Sequence, residues 1–189
     1  MLKVRAIVPA AGLSRRFGGP NKLLVPWNGS TIVGTVVRTL LDVGLKVTVV
    51  AGRDADRVAC EVLGAECVLN PNWENVGLGD SIAFGVSAAP ESDGYLIALA
   101  DTPSLSRQVV DGVLAAFEEV GPKGIIVPIY SEEPEHPGHP VLFGRAYRPE
   151  LIALTGKGGA RSILRRHEAS LSRVHVLGRL HDVDTPRDL

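Results

Sequence analysis

The sequence predicts an α/β fold built on a mainly parallel sheet. Short apolar runs of strand length recur along the chain, and between them stand segments whose apolar residues pair up every four positions. Strands that alternate with helices favour parallel pairing, because each crossover returns the chain to the same end of the sheet.

Lys3 to Val8 is the first such run, and its uninterrupted apolar character suits a strand buried on both faces. A helix follows from Ile32, where Ile32/Val33, Val36/Val37 and Leu40/Leu41 line one face. Lys46 to Ala51, Glu66 to Leu69 and Tyr95 to Ala100 read as the next strands. Val109/Val110, Val113/Leu114 and Phe117 mark another helix, and Gly124 to Pro128 another strand. The rhythm breaks at Ser131 to Pro140, where three prolines and three acidic residues predict an exposed loop near a site. Helices over Leu151 to Leu154 and Ala160 to His167, separated by the glycine loop Gly156 to Gly159, precede a last strand near Arg173 to Leu177.

Composition sets the outer bounds. The chain has 189 residues, 45% of them apolar, enough to bury roughly 70% of its unfolded surface as one compact domain over residues 1–189 and to exclude disorder or a fibre. No apolar stretch approaches the roughly 18 to 20 residues that cross a bilayer, and no secretory signal precedes Val4, so the expected location is the cytoplasm, away from membranes. Twenty Lys and Arg against 21 Asp and Glu give a net charge of −1 without a basic run, which argues against nucleic acid as a partner. Cys60 and Cys67 form no CxxC pair and read as small buried apolar residues.

In an open parallel sheet the ligand crevice lies outside the carboxyl ends of the strands, which selects three segments. The first runs from Pro9 to Lys22, with Ala10, Ala11, Gly12 and Ser14 leaving the backbone accessible and Arg15, Arg16 and Lys22 supplying positive charge. No acid interrupts it, so it suits a polyphosphate, yet it is neither a GxxxxGK[ST] nor a GxGxxG loop. The second is Asp101, a carboxylate emerging from a buried run before Thr102-Pro103. It reads as a Mg²⁺ ligand or as a helix cap. The third is Asp182-Val183-Asp184-Thr185-Pro186, whose two carboxylates fall on one side of an extended segment. Either could complete a metal shell, while Thr185 or Asp184 caps a helix with Pro186 at its first position. His136 and His139 lack an evident third ligand and read as structural or solvated.

Taken together, AAGLSRRFGGPNKLL, LADTPSL, GHPVLF, GKGGARSILRRH and DVDTPRDL resemble the MobA-like NTP transferases, the molybdenum cofactor cytidylyltransferases above all. The resemblance spans Ile7 to Leu189. It implies a three-layer α/β/α Rossmann-like fold of the nucleotide-diphosphosugar-transferase type. It also implies transfer of CMP from CTP to the phosphate of molybdopterin with release of pyrophosphate, and a molybdoenzyme as a further partner. By the same resemblance Arg16 and Lys22 are triphosphate-binding cations, and Asp101 and Asp184 hold Mg²⁺, with Arg16, Lys22 and Asp101 catalytic. Gly77 and Ser81 fall near base and ribose, and His139, Pro140, Gly159 and Arg161 on the acceptor side. Thr102 replaces the usual Met after the metal aspartate, and Lys157 stands where an acidic residue is common.

Three alternatives remain open in the sequence. A guanylyltransferase for the same cofactor more often carries Ala-Gly-Gly where this chain has Ala10-Ala11-Gly12. A cytidylyltransferase for methylerythritol phosphate shares Pro9 to Gly12 but shows Asp-Ala-Ala-Arg where this chain has Ala100-Asp101-Thr102-Pro103. A non-catalytic nucleotide- or pterin-binding protein is the remaining class, and the gathering of charge around one crevice argues against it.

Overall fold

The computed structural model describes residues 1–14, 17–75, 77–135 and 137–189. Its centre is a seven-stranded sheet whose strands are β1 (Val4–Ala10), β4 (Lys46–Ala51), β5 (Glu66–Leu69), β6 (Gly94–Ile97), β7 (Ile125–Tyr130), β8 (Val141–Gly144) and β9 (Leu171–Val176). They lie in the order β5-β4-β1-β6-β8-β7-β9. β2 (Pro26–Trp27) and β3 (Ser30–Thr31) form a separate two-residue hairpin. All sheet pairs are parallel except those made by β8, which runs antiparallel to both β6 and β7. The cause is local: β7 and β8 are joined by the segment 131–140, whose described residues hold no crossover helix, and a parallel return normally needs one.

Alternation along the strands divides the core into two faces. Ala6, Val8 and Ala10 of β1 point to one side with Leu96 and Ile126, while Ile7, Tyr95, Ile97 and Val127 point to the other. The first face is covered by α1 (Ile32–Asp42), α2 (Ala55–Glu61) and α4 (Arg107–Val120), through residues such as Val36, Val58 and Phe117. The second is covered by α3 (Leu78–Ala88), α5 (Arg148–Ile152) and α6 (Arg161–Arg166), through Ile82, Leu151 and Ile163. The fold is therefore the three-layer α/β/α arrangement expected. Close packing of α3 depends on Gly85, where an added Cβ would lie 2.6 Å from Ile7 and 2.7 Å from Val50.

Several boundaries differ from the expectation. β6 ends at Ile97, although residues 98 to 100 continue the buried path, and β7 extends two residues beyond Pro128 to Tyr130. The cysteine reading is corrected: Cys60 is exposed and Cys67 is partly exposed. Cys60 lies on α2, a short helix of which Val58 is the buried residue, and Cys67 lies on β5 at the edge of the sheet. No helix among the described residues is long and apolar enough to cross a membrane.

Candidate active site

The carboxyl ends of β1 and β6 open into a cleft of about 820 Å³. Ala10 is the last residue of β1, and with Ala11 and Gly12 it forms the cleft floor. Among the described residues an added Cβ at Gly12 meets no atom within 4 Å, and Gly12 lines the cleft. Ser14 adopts φ 51°, turning the chain so that its Oγ accepts from the Lys22 N–H at 3.2 Å. Asn21, 2% exposed, then caps the single turn Lys22–Leu24: its Oδ1 accepts from the Leu23 N–H at 3.2 Å and its Nδ2 donates to the Arg53 carbonyl at 3.2 Å. This buried bracket fixes the backbone from which Lys22 reaches the cleft.

The Lys22 ammonium donates to Asp101 Oδ2 at 2.7 Å and to Asp184 Oδ1 at 3.0 Å. Burial alone would lower the pKa of Lys22, but the charge and hydrogen bonds of Asp101 and Asp184 outweigh it and leave the pKa above its ordinary value. Lys22 is therefore a cation throughout the neutral range.

Residues 79 and 162 positions from Lys22 meet it because the carboxyl-terminal tail is stitched to the loop after β6. The N–H of fully buried Val183 donates to the Asp101 carbonyl at 2.8 Å, and the His181 N–H donates to Ser104 Oγ at 2.8 Å. Thr185 caps the terminal turn Pro186–Asp188, and Asp188 Oδ2 accepts from the Asp184 and Thr185 N–H groups, which lowers the Asp188 pKa. The cap and the cleft carboxylate thus coexist on neighbouring residues. Asp182 and Asp184 are placed differently, however: Asp184 lines the cleft, whereas Asp182 is exposed and outside its lining.

The opposite wall is the start of α3. Gly77 precedes the helix and Ser81 lies one turn into it, 5% exposed, with its Oγ donating to the Gly77 carbonyl at 3.2 Å. Beside them stand Gly156 and Lys157. Ala10, Ala11, Gly12, Ser14, Lys22, Gly77, Ser81, Asp101 and Asp184 are thus all brought to one cavity, and Arg16 lies outside the described residues.

The four acceptor-side residues lie outside the described lining of the cleft. His139 and Pro140 immediately precede β8, with the His139 carbonyl accepting from Tyr130 Oη at 2.7 Å. Burial lowers the His139 pKa; the Ile97 carbonyl and the charges of Asp101 and Asp182 oppose this, and Arg161 reinforces it. Arg161 opens α6 on the surface, and Gly159 packs on Leu78. Sequence reasoning missed Asp80, Glu74 and Asn75, which also line the cavity. Asp80 carried a signal, since an acid three residues after the residue preceding a helix is the far half of a capping box.

Among the described residues no cluster of three or more His, Cys, Asp or Glu could hold a metal by itself. Asp101 and Asp184 nonetheless aim hard oxygen donors at one cation, the ammonium of Lys22. Two carboxylates completed by phosphate oxygens and water suit Mg²⁺ or Mn²⁺, so the donor set fits a metal carried in with a nucleotide.

Comparison with known proteins matches residues 6–171 to the MobA-like NTP transferase domain. The chain belongs to this family. A nicotine blue oxidoreductase of Paenarthrobacter nicotinovorans is 33% identical over 172 residues, covering 86% of this chain and 82% of that protein. The molybdenum cofactor cytidylyltransferase of Escherichia coli K12 is 23% identical over 191 residues, covering 100% and 94%. Among solved structures, Rv0371c of Mycobacterium tuberculosis H37Rv superposes with a TM-score of 0.84 at 23% identity, covering 98% of this chain and 95% of the other, and it has also been solved in complex with manganese. At that identity the likeness establishes the shared fold. Membership of the MobA-like family makes the chain a nucleotidyltransferase-type protein.

Proposed function

We propose that this protein transfers a nucleotidyl group from an NTP, CTP in the first instance, to the phosphate of a small-molecule acceptor, molybdopterin being the acceptor the motifs favour. The observation that carries the reading is the meeting of Lys22, Asp101 and Asp184, from three distant parts of the chain, on one cleft at the carboxyl ends of the strands. Ala10-Ala11-Gly12 supports CTP over GTP.

In this mechanism an acceptor phosphate oxygen attacks the α-phosphorus in line, the bond from that phosphorus to the bridging oxygen breaks, and the pair leaves with pyrophosphate. A phosphate monoester is already anionic at neutral pH, so no side-chain base is required. Ala11 and Gly12 offer backbone to the triphosphate, and Lys22, kept protonated by its carboxylate neighbours, supplies positive charge where the leaving group develops negative charge. Asp101 and Asp184 would hold Mg²⁺, which neutralises phosphate charge when bound. Arg16 adds a second cation to the same loop, and Gly77 and Ser81 border the base and ribose. His139, Pro140, Gly159 and Arg161 belong to the acceptor approach, with Arg161 as its cation. The protein acts in the cytoplasm, and its product passes to a molybdoenzyme.

A second reading follows from the 33% identity to a protein named nicotine blue oxidoreductase: the same cleft serves an oxidoreduction. Incubation with each of the four NTPs, Mg²⁺ and molybdopterin, with pyrophosphate measured, and a parallel incubation with a reduced nicotinamide cofactor, with its absorbance followed, separate the two. CTP-dependent pyrophosphate release is expected. Release with GTP alone replaces CTP in the reading, and no release with any NTP, alongside oxidation of reduced nicotinamide, replaces the reaction.

A further inference from the structure

Asp80 joins two segments that sequence places far apart. Its Oδ2 accepts from the Gly77 N–H at 2.7 Å and from the Gly156 N–H at 2.8 Å, across 76 positions. The Gly79 N–H donates in turn to the Gly156 carbonyl at 2.8 Å. No side chain intervenes: a Cβ on Gly77 would lie 2.3 Å from the Gly156 carbonyl and 2.6 Å from the Lys157 nitrogen. Gly156 itself takes φ +72°, a conformation that favours glycine. Both segments line the same cleft, Gly77 and Ser81 from one side of the seam and Gly156 and Lys157 from the other.

A helix cap explains only half of this. Accepting from Gly77 satisfies a donor at the helix's own start, whereas the bond to Gly156 reaches a loop outside the helix, whose carbonyl in turn accepts from the Gly79 N–H. What the second bond does is close a glycine-rich loop onto the helix so that loop and helix present one continuous wall. A carboxylate serves well here, because one charged oxygen accepts two N–H groups more strongly than a neutral acceptor does.

We propose that Asp80 is a positioning residue for the nucleotide seat, locking the Gly156–Lys157 loop against α3 and so fixing the cleft before the nucleotide arrives. The proposal rests on the nucleotide reading given above. Its consequence is energetic: a wall already ordered loses less freedom on binding, so Asp80 acts on affinity and leaves the chemical step alone.

The test compares wild type with Asp80→Ala, Asp80→Ser and Asp80→Asn. Calorimetry reads the Mg-CTP Kd, steady-state kinetics the KM and kcat, and amide hydrogen exchange the Gly156 N–H without nucleotide. Asp80→Ala is expected to raise Kd and KM about tenfold with kcat within about twofold, and to speed Gly156 exchange about tenfold or more. Asp80→Ser, which keeps a polar group near the helix end but is too short to span the seam, is expected to match it and guards against an alanine variant that does not fold. Asp80→Asn, whose amide oxygen can still accept both bonds, is expected to recover most of the affinity. A lowered Tm with unchanged Kd, KM and Gly156 exchange makes Asp80 a helix cap only and overturns the proposal. Wild type that binds no NTP overturns the nucleotide reading and this proposal with it, and that result is seen before any variant is made.

Discussion

Removing the Lys22 ammonium tests the site and the fold at once. Lys22 is 13% exposed at its side chain and donates at 2.7 and 3.0 Å to carboxylates that are 25% and 30% exposed. Breaking a fully buried pair by deleting one partner costs about 3–5 kcal/mol. Exposed pairs contribute about 0–1 kcal/mol, and the partial exposure of both carboxylates places Lys22→Met between, at about 1–2 kcal/mol. For a chain of this length that lowers Tm by about 2–8 °C. The effect on turnover is larger: losing one preorganised cation at the leaving group lowers kcat by about 10² to 10³. Lys22→Arg keeps the charge but not the compact ammonium, and is expected to recover stability more than rate. Thermal melting and a pyrophosphate-release assay on the same preparations read both quantities. A variant with reduced Tm and full kcat makes Lys22 structural only, and an unchanged Tm refutes the ion-paired geometry.

Three further outcomes follow from the same coordinates. Asp184→Asn is expected to lower Mg²⁺-dependent turnover at least tenfold, while Asp182→Asn, outside the cleft, leaves it within about twofold; equal losses would show that both carboxylates serve the site. Gly77→Ala drives a methyl group against the Gly156 backbone and is expected to destabilise by about 1–3 kcal/mol, read as a fall in denaturant midpoint; an unchanged midpoint contradicts the close approach of the two segments. His139 has a lowered pKa in the folded protein, so its neutral form contributes stability that is complete above the unfolded value of about 6.5 and is lost as pH falls from there toward the folded value. Tm should therefore drop on acidification below pH about 6.5, and His139→Gln should flatten that part of the profile; identical profiles would remove His139 as its source.

Much of the fold was legible because β1, β4 and β7 are buried on both faces and α1 and α4 carry a four-residue apolar repeat, both of which are local signals. β8 escaped as a strand because Val141 to Gly144 spans four residues after a proline-rich loop, and its antiparallel course depends on partners in β6 and β7 that no local pattern names. α2 escaped for a related reason: Val58 is its buried residue, so it presents no apolar stripe. The cleft was readable from Ala10 to Ser14, Lys22 and Asp101, since strand ends announce a crevice. The resemblance already favoured Asp184 over Asp182, whereas the Val183 bond to the Asp101 carbonyl, which ties this segment to the loop after β6, was visible only in the structure. The capping role of Asp80 was readable, but its bond across the seam was not, because Gly156 is 76 positions away.

The central claim is that Lys22, Asp101 and Asp184 surround one metal-bound nucleotide. Crystals grown with Mn²⁺ and a non-hydrolysable CTP analogue test it most directly, through the anomalous signal of the metal. A manganese peak ligated by Asp101 and Asp184 is expected, with the triphosphate against Gly12 and Lys22. A triphosphate bound away from this cleft, or manganese ligated by neither carboxylate, would contradict it.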